Sequence, residues 1–297
     1  LVLAGLQEGL QGQWRSLRAD LFPKVVLLDL SDPQVLIGQA LKAGKPVEPV
    51  WTVPVPARTC REGVPVAIEA LGDLIGDLLL EHSSLNPGLV VALPRELGLW
   101  RLLSWPEGAQ PAMAVEELRE RQINLKWPVN LEAAVLDVQP MEQQPGESLV
   151  VGTSQEALES WIEVFAFAGG SLRHLIPAQA CLHVALEAEL AEAPAGQLVG
   201  LLQPSSHDCQ LLVWRDGVPE FEHILPLAPD QLVPALARCL GFCRSRLGPG
   251  PIRLFQGESL EAATAIAEQL GLPVEMADRG EYGSLHLAGL GRLALAR

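Results

Sequence analysis

Residues 24–94 set out an order of elements that the chain runs through again from residue 197, and this repetition constrains the fold more than any single motif. "KVVLLDL" (24–30) is an unbroken apolar stretch, and "VLIGQALKAGKPVEPVWTVPVP" follows as a hairpin turning near Lys42–Lys45. A helix is expected around 66–81, where Ile68, Leu71, Leu74, Leu78 and Leu79 recur near helical spacing, and "NPG" (86–88) leads into the apolar "LVVALP" (89–94). In the second run "QLVGLLQP", "CQLLVW" and "PEFEHILPL" give three strands, followed by a helix over 230–246 striped by Leu232, Leu236, Cys239, Leu240 and Cys243. "IRLFQG" (252–257), a helix over 259–270 stopped by Gly271, and "PVEM" complete it. Strands that are apolar without alternation are covered on both faces. Two such programmes predict a duplicated α/β chain with a central cleft between the copies.

The region between the runs has a different character. "LGLWRLLSWP", the charged helix "AVEELRERQINLKW" (114–127) and "LEAAVLDVQP" form a strand–helix–strand unit framed by Pro106 and Pro140, read as a small subdomain inserted at about 96–146. "SLVVGTS" (148–154) is expected to resume the core, and the box Thr153-x-x-Glu156 to cap a helix that buries Leu158, Trp161, Ile162 and Phe165 and ends at Gly169-Gly170. "EAPAG" (192–196) reads as a hinge, and "YGSLHLAGLGRLALA" as a C-terminal helix rich in small residues. The expected division is a first domain over 1–192, insertion included, and a second over 193–297 whose last helix packs back toward the first. Residues 1–22 read as a short amphipathic helix.

Charge narrows the function classes. With 21 Lys+Arg against 36 Asp+Glu the net charge is −15, which disfavours nucleic acid and anionic lipid as partners. The five cysteines are scattered without a disulfide framework, and no apolar run approaches the ~20 residues that a bilayer span requires. A soluble cytoplasmic protein is the expectation.

The ordered set of elements resembles the actin-like ATPases (ribonuclease H-like fold), and within them the PilM-like type IV pilus assembly proteins, which are related to FtsA. The resemblance spans roughly 24–297 and rests on "LVVALPRE", "LRERQINLKWPVNLEAAVLDV", "RDGVPEFEHILPL", "LFQGESLEAATAIAEQLGLPVE" and "LAGLGRLALAR". It implies two actin-like domains around a cleft for ATP and Mg²⁺. It further implies a cytoplasmic scaffold at the inner membrane, part of the pilus assembly platform with its other proteins, recruited by the cytoplasmic tail of a PilN-like membrane protein. The cleft residues that match the family's positions are Asp29 and Ser31 in the first phosphate loop, Ser205 and His207 in the second, and Gly257 in the adenosine loop.

The chain departs from the family at those same loops. "LDLSDPQVLIG" keeps Asp29 but has Ser31 where the family has Gly, and Leu36 where it has Lys. The second loop falls on Gln203, Pro204, Ser205, His207 and Cys209, without its glycines or acid, and the Gly-Gly of the adenosine loop is Gln256-Gly257. Cradling phosphate takes consecutive backbone N–H groups at close approach, which glycine permits and Pro204 removes. Of the two acids that would orient Mg²⁺ through its waters, only one remains. The expectation is therefore a degenerate cleft without catalysis and without a cofactor or metal ion, the alternative being ATP with Mg²⁺ bound but not hydrolysed.

Other constellations read as structure. In "SSHD" (205–208) adjacent turn residues do not converge as a nucleophilic triad does. Cys239 and Cys243 sit i, i+4 on an apolar stripe, and "GLGRLA" (289–294) lacks the strand and downstream acid of a dinucleotide site; Gly289 and Gly291 suit close helix packing. Trp127-Pro128, ending the charged helix, is the candidate anchor for a bound peptide against the alternative of a Trp packed beneath its own subdomain; Trp100 and Trp105 lie in the same region. A groove between the first core domain and the insertion is where the resemblance would lay the PilN-like tail. A cytoplasmic component of a type II secretion system, or an active ATPase or kinase of the superfamily, are the other readings.

Overall fold

The computed structural model describes residues 25–42, 44–82, 87–105, 114–120, 125, 127, 130–141 and 146–295. The expected helix over 1–22 lies outside the described residues. Two compact units are present, one formed by 1–96, 156–181 and 281–297, the other by 97–155 and 182–280. This interleaving follows different lines from a single division at 192/193.

In the first unit, β1 (Val25–Asp32), β2 (Val35–Lys42) and β3 (Lys45–Pro54) form an antiparallel meander. A small hairpin, β4 (Cys60–Arg61) and β5 (Val64–Pro65), precedes α1 (Ile68–His82) and β6 (Gly88–Leu93). β6 runs parallel to β1. The chain then leaves for the other unit through β7 (Leu99–Ser104), α2 (Ala114–Glu120), β8 (Ala134–Pro140) and β9 (Glu147–Ser154). It returns with α3 (Gln155–Phe167), β10 (Ser171–Pro177) and the start of α4 (Ala178–Ala185). The sheet order is β10-β6-β1-β2-β3.

The second unit continues with α5 (Glu187–Glu192), the meander β11 (Leu198–Pro204), β12 (Asp208–Arg215) and β13 (Val218–Pro226), and then α6 (Pro229–Leu247). β14 (Ile252–Gln256), α7 (Ala263–Leu270) and β15 (Val274–Met276) follow, and α8 (Leu285–Leu295) closes the chain in the first unit. The order β15-β14-β11-β12-β13 repeats that of the first sheet, with β14 parallel to β11 and β15 parallel to β14. The repeated order in the sequence is thus a repeated topology.

Burial follows the sequence pattern. β6 is buried along its whole length, as an apolar run in a covered sheet should be. In the second unit α6 and α7 pack on one face, where Leu202, Leu211, Leu236, Leu240, Cys243, Leu254 and Ile266 form the core. Cys243 belongs to that core and Cys239 packs against it, so both act as small hydrophobes. In the first unit α8 joins Leu287 and Leu290 to Leu27, Val90 and Cys181.

Three local expectations differ. β9, expected to rejoin the core sheet, is the central strand of a three-stranded sheet in the order β7-β9-β8. It alternates in burial because Leu118 of α2, with Leu125, covers only one face. The capping box at Thr153 does not form, because strand pairing continues to Ser154 and the Thr153 hydroxyl lacks a hydrogen-bond partner. Ile162 is exposed, and Ala157, Trp161, Val164 and Phe165 make the buried stripe of α3. Trp161 Nε1 donates to the carbonyl of Gly63 at 3.0 Å.

Gly289 does serve close packing. A Cβ there would lie 2.0 Å from the carbonyl oxygen of Cys181, so α8 meets the backbone of α4 directly, and at Gly291 it would meet the Tyr282 hydroxyl at 2.3 Å. Substituting Gly289→Ala is expected to cost roughly 1–3 kcal/mol through overpacking. Urea unfolding measures it; a cost near zero would mean that α8 can shift away freely.

Candidate functional site

The position that the resemblance assigns to a first phosphate loop is built on an irregularity of β1. Asp29 pairs with Ile37 and Asp32 with Val35, so two residues, Leu30 and Ser31, oppose Leu36 alone. The bulge turns the Ser31 N–H back to Asp29 Oδ1 at 3.0 Å. Asp29 is only 3 % exposed. Its other oxygen, Oδ2, accepts from Ser284 Oγ at 2.8 Å and lies 3.2 Å from His286 Nδ1. Ser284 is at the same time the cap of α8, because its hydroxyl accepts the N–H of Leu287 at 3.1 Å. Asp29 therefore sits at the N-terminus of α8 as an internal anion, where the helix dipole favours negative charge.

His286, also 3 % exposed, places Nδ1 3.2 Å from Ser31 Oγ as well. A carboxylate oxygen only accepts, so the shared geometry places the ring hydrogen on Nδ1. Asp29 and Ser31 meet the same ring nitrogen, and Nε2 is buried without a partner. A nucleophilic triad needs the imidazole between its partners, one at each nitrogen, so this Ser-His-Asp cluster is not one. Burial acts to raise the Asp29 pKa; the charge and hydrogen bond of His286 and the hydrogen bonds from Ser31 outweigh it and bring it down to about 2.

In the second unit the turn 205–208 closes on itself. Ser205 N donates to the Asp208 carbonyl at 2.8 Å and Ser205 Oγ bonds Asp208 Oδ1 at 2.8 Å, while the N–H groups of His207 and Asp208 reach back to Ser205 Oγ. The His207 side chain is exposed and Cys209 is buried in the core. Gly257 N donates to the carbonyl of Leu202 at 3.0 Å, and Gln256 Oε1 accepts from Leu260 N at 3.1 Å. The amides of Ser31, Ser205, His207, Asp208 and Gly257 thus donate within the protein, and Pro33 and Pro204 have none. Among the described residues no group of three His, Cys, Asp or Glu side chains is placed to hold a metal ion.

No protein-family model and no curated protein matches the sequence. The fold does have counterparts among solved structures. The chain is similar to a PilM-PilN type IV pilus biogenesis complex, with a TM-score of 0.71 and 22 % identity over 90 % of this chain and 97 % of that one. A Bacteroides thetaiotaomicron protein described as having an actin-like ATPase fold and unknown function gives 0.58 and 9 %, over 93 % and 97 %. The cytoplasmic domain of EpsL, an inner-membrane component of the type II secretion system of Vibrio cholerae, gives 0.54 and 14 %, over 92 % and 95 %. The chain has the actin-like ATPase fold.

Within this actin-like fold, the structure brings Asp29 and Ser31 together in one network, and Ser205 and His207 in one turn. Ser284 and His286 were missed from the sequence, though a lone His within the apolar "SLHLAGL" was the available signal. Gln39 was missed too. It is buried in β2 and clamps the segment before α8, donating to the Glu281 carbonyl at 3.2 Å and accepting from Gly283 N at 3.1 Å.

Trp127 is half-buried on the three-stranded sheet, over Gly152, where a Cβ would come within 2.8 Å of its ring. Pro128 lies outside the described residues. Trp105 Nε1 donates to Ser148 Oγ at 2.7 Å, and Trp100 Nε1 donates to Glu222 on β13, which also accepts from Gln210. All three tryptophans of this region thus make internal contacts.

The depressed Asp29 pKa gives a pH signature. Its stabilisation is fully present above the ordinary carboxylate value and is lost as pH falls through 4 toward 2, in total about 2 kcal/mol. Urea unfolding between pH 6 and pH 2 should show a shallower acid limb for Asp29→Asn than for the wild type. Parallel curves would mean that Asp29 is not charged in the folded state.

Proposed function

We propose that the protein is a non-catalytic scaffold of the PilM type, working at the cytoplasmic face of the inner membrane in type IV pilus assembly and held there by the tail of a PilN-like membrane protein. The observation that carries the first half is the engagement of Asp29: the one acid left to orient a cation is surrounded by Ser31, Ser284 and His286. Together with the self-bonded turn at 205–208, these residues do not fit Mg²⁺ and a triphosphate, and no catalytic step is assigned to them. The second half is supported by similarity to a PilM-PilN complex along nearly the whole length of both chains.

Among the described residues no helix is long and apolar enough to cross a membrane. On this reading a protein partner supplies the membrane attachment, and the three-stranded sheet, with Trp127 on it, is the element proposed to contact the tail. Aromatic anchors dominate such contacts when one face of the ring stays accessible. Similarity to the cytoplasmic domain of EpsL supports a second reading, the equivalent place in a type II secretion system.

Two titrations on the full chain test the proposal. Isothermal titration with ATP and Mg²⁺ should give no saturable heat, and turnover should stay at the buffer rate; micromolar binding or hydrolysis would overturn the non-catalytic reading. Synthetic cytoplasmic tails of single-span pilus and secretion components should separate the two systems. A pilus tail should bind, with a loss of about tenfold for Trp127→Ala, equivalent to about 1.4 kcal/mol. Preference for the secretion tail would favour the second reading, and binding of neither would sink both.

A further inference from the structure

Two helical surfaces, one in each unit, carry exposed apolar side chains framed by charge of a single sign. In the first unit α1 spaces Glu69, Asp73, Asp77 and Glu81 at i, i+4, and α3 carries Glu156, Glu159 and Glu163; neither helix contains Lys or Arg. Leu80, Ile162 and Phe167 stand among these acids at 67 %, 44 % and 53 % exposure. Phe167 joins the helices into one face, because its ring lies over Gly72, where a Cβ would approach it to 2.6 Å. Like charges at i, i+4 weaken a helix. Glu69, Asp73, Asp77 and Glu163 have no ion-pair partner among the described residues, so helix stability does not explain the stripe.

The second unit has the complement. On α6, Arg238, Phe242 and Arg246 follow at i, i+4, i+8 and all are exposed, with Phe242 at 51 % and leaning on Phe221 at 5.6 Å between ring centroids. Asp230, in the first turn, is the one acid of this helix. In a chain with a net charge of −15 this is a local inversion of sign.

We propose that these faces are the two halves of one contact between copies of this chain. The arginines of α6 in one copy meet the carboxylates of α1 and α3 in the next, and Phe242 packs among Phe167, Ile162 and Leu80. Guanidinium–carboxylate pairing sets the register, and the aromatic contact supplies the apolar burial. Because two different surfaces meet, the contact is heterologous, leaving each copy with a free face for another. The inference is independent of the pilus reading.

Sedimentation velocity on the full chain across a concentration series, at low and high salt, tests it. The wild-type mean mass should rise with concentration and fall with salt. The charge-reversed variants D73K/D77K/E163K and R238E/R246E, checked for folding by circular dichroism, should each stay monomeric. Their equimolar mixture should associate again, because the intact acidic face of one variant meets the intact basic face of the other. A wild-type mass independent of concentration at low salt would overturn the proposal, as would a mixture that fails to recover. Binding of an unrelated basic segment to a wild type that stays monomeric would assign the acidic face to another partner.

Discussion

The arrangement of the first unit depends on one buried carboxylate. Asp29 lies in the middle of a sheet strand with its charge intact, and an ionised group removed from water without partners would cost several kcal/mol. Its partners come from the bulge two residues on and from the start of a helix 255 residues away. The carboxylate thus fixes where α8 begins, Gln39 holds the segment leading into it, and Gly289 lets the helix settle on α4. These contacts tie the end of the chain to its first described strand.

The same geometry shapes the functional reading. On the proposed reading, an acid that accepts from Ser31 and Ser284 and faces an imidazole serves the fold rather than a hydrated cation, and the His207 and Asp208 amides of the turn at 205–208 return to its own Ser205. What these groups already do supports the proposed scaffold role. On that reading the inserted sheet serves toward a membrane-protein tail; the charged helical faces, proposed independently of it, serve toward further copies of the chain.

Much of the architecture was legible because it is written in short periods. Apolar runs such as "LVVALP" and "CQLLVW" mark covered strands whatever surrounds them, and their order over the two runs carried the duplication. β9 was harder to place. "SLVVGTS" is as apolar as a core strand, and only its partners β7 and β8 assign it to the small sheet. Thr153 likewise reads as a cap in one dimension, but in three the strand runs past it and α3 begins at Gln155. At the candidate site Asp29 and Ser31 could be picked out in the sequence through the resemblance, whereas the network around Asp29 could not.

The sequence by itself determined the class of fold and the repeated topology, because strand burial and helix periodicity are properties of local residue order. The tertiary structure alone decided what Asp29 and Ser31 contact. Ser284 and His286 reach Asp29 across almost the whole length of the chain, and no local pattern encodes a pairing at that separation. Closing so long a loop takes the entire sheet and its helices, so the partners of a buried charge emerge only once the fold has brought them together.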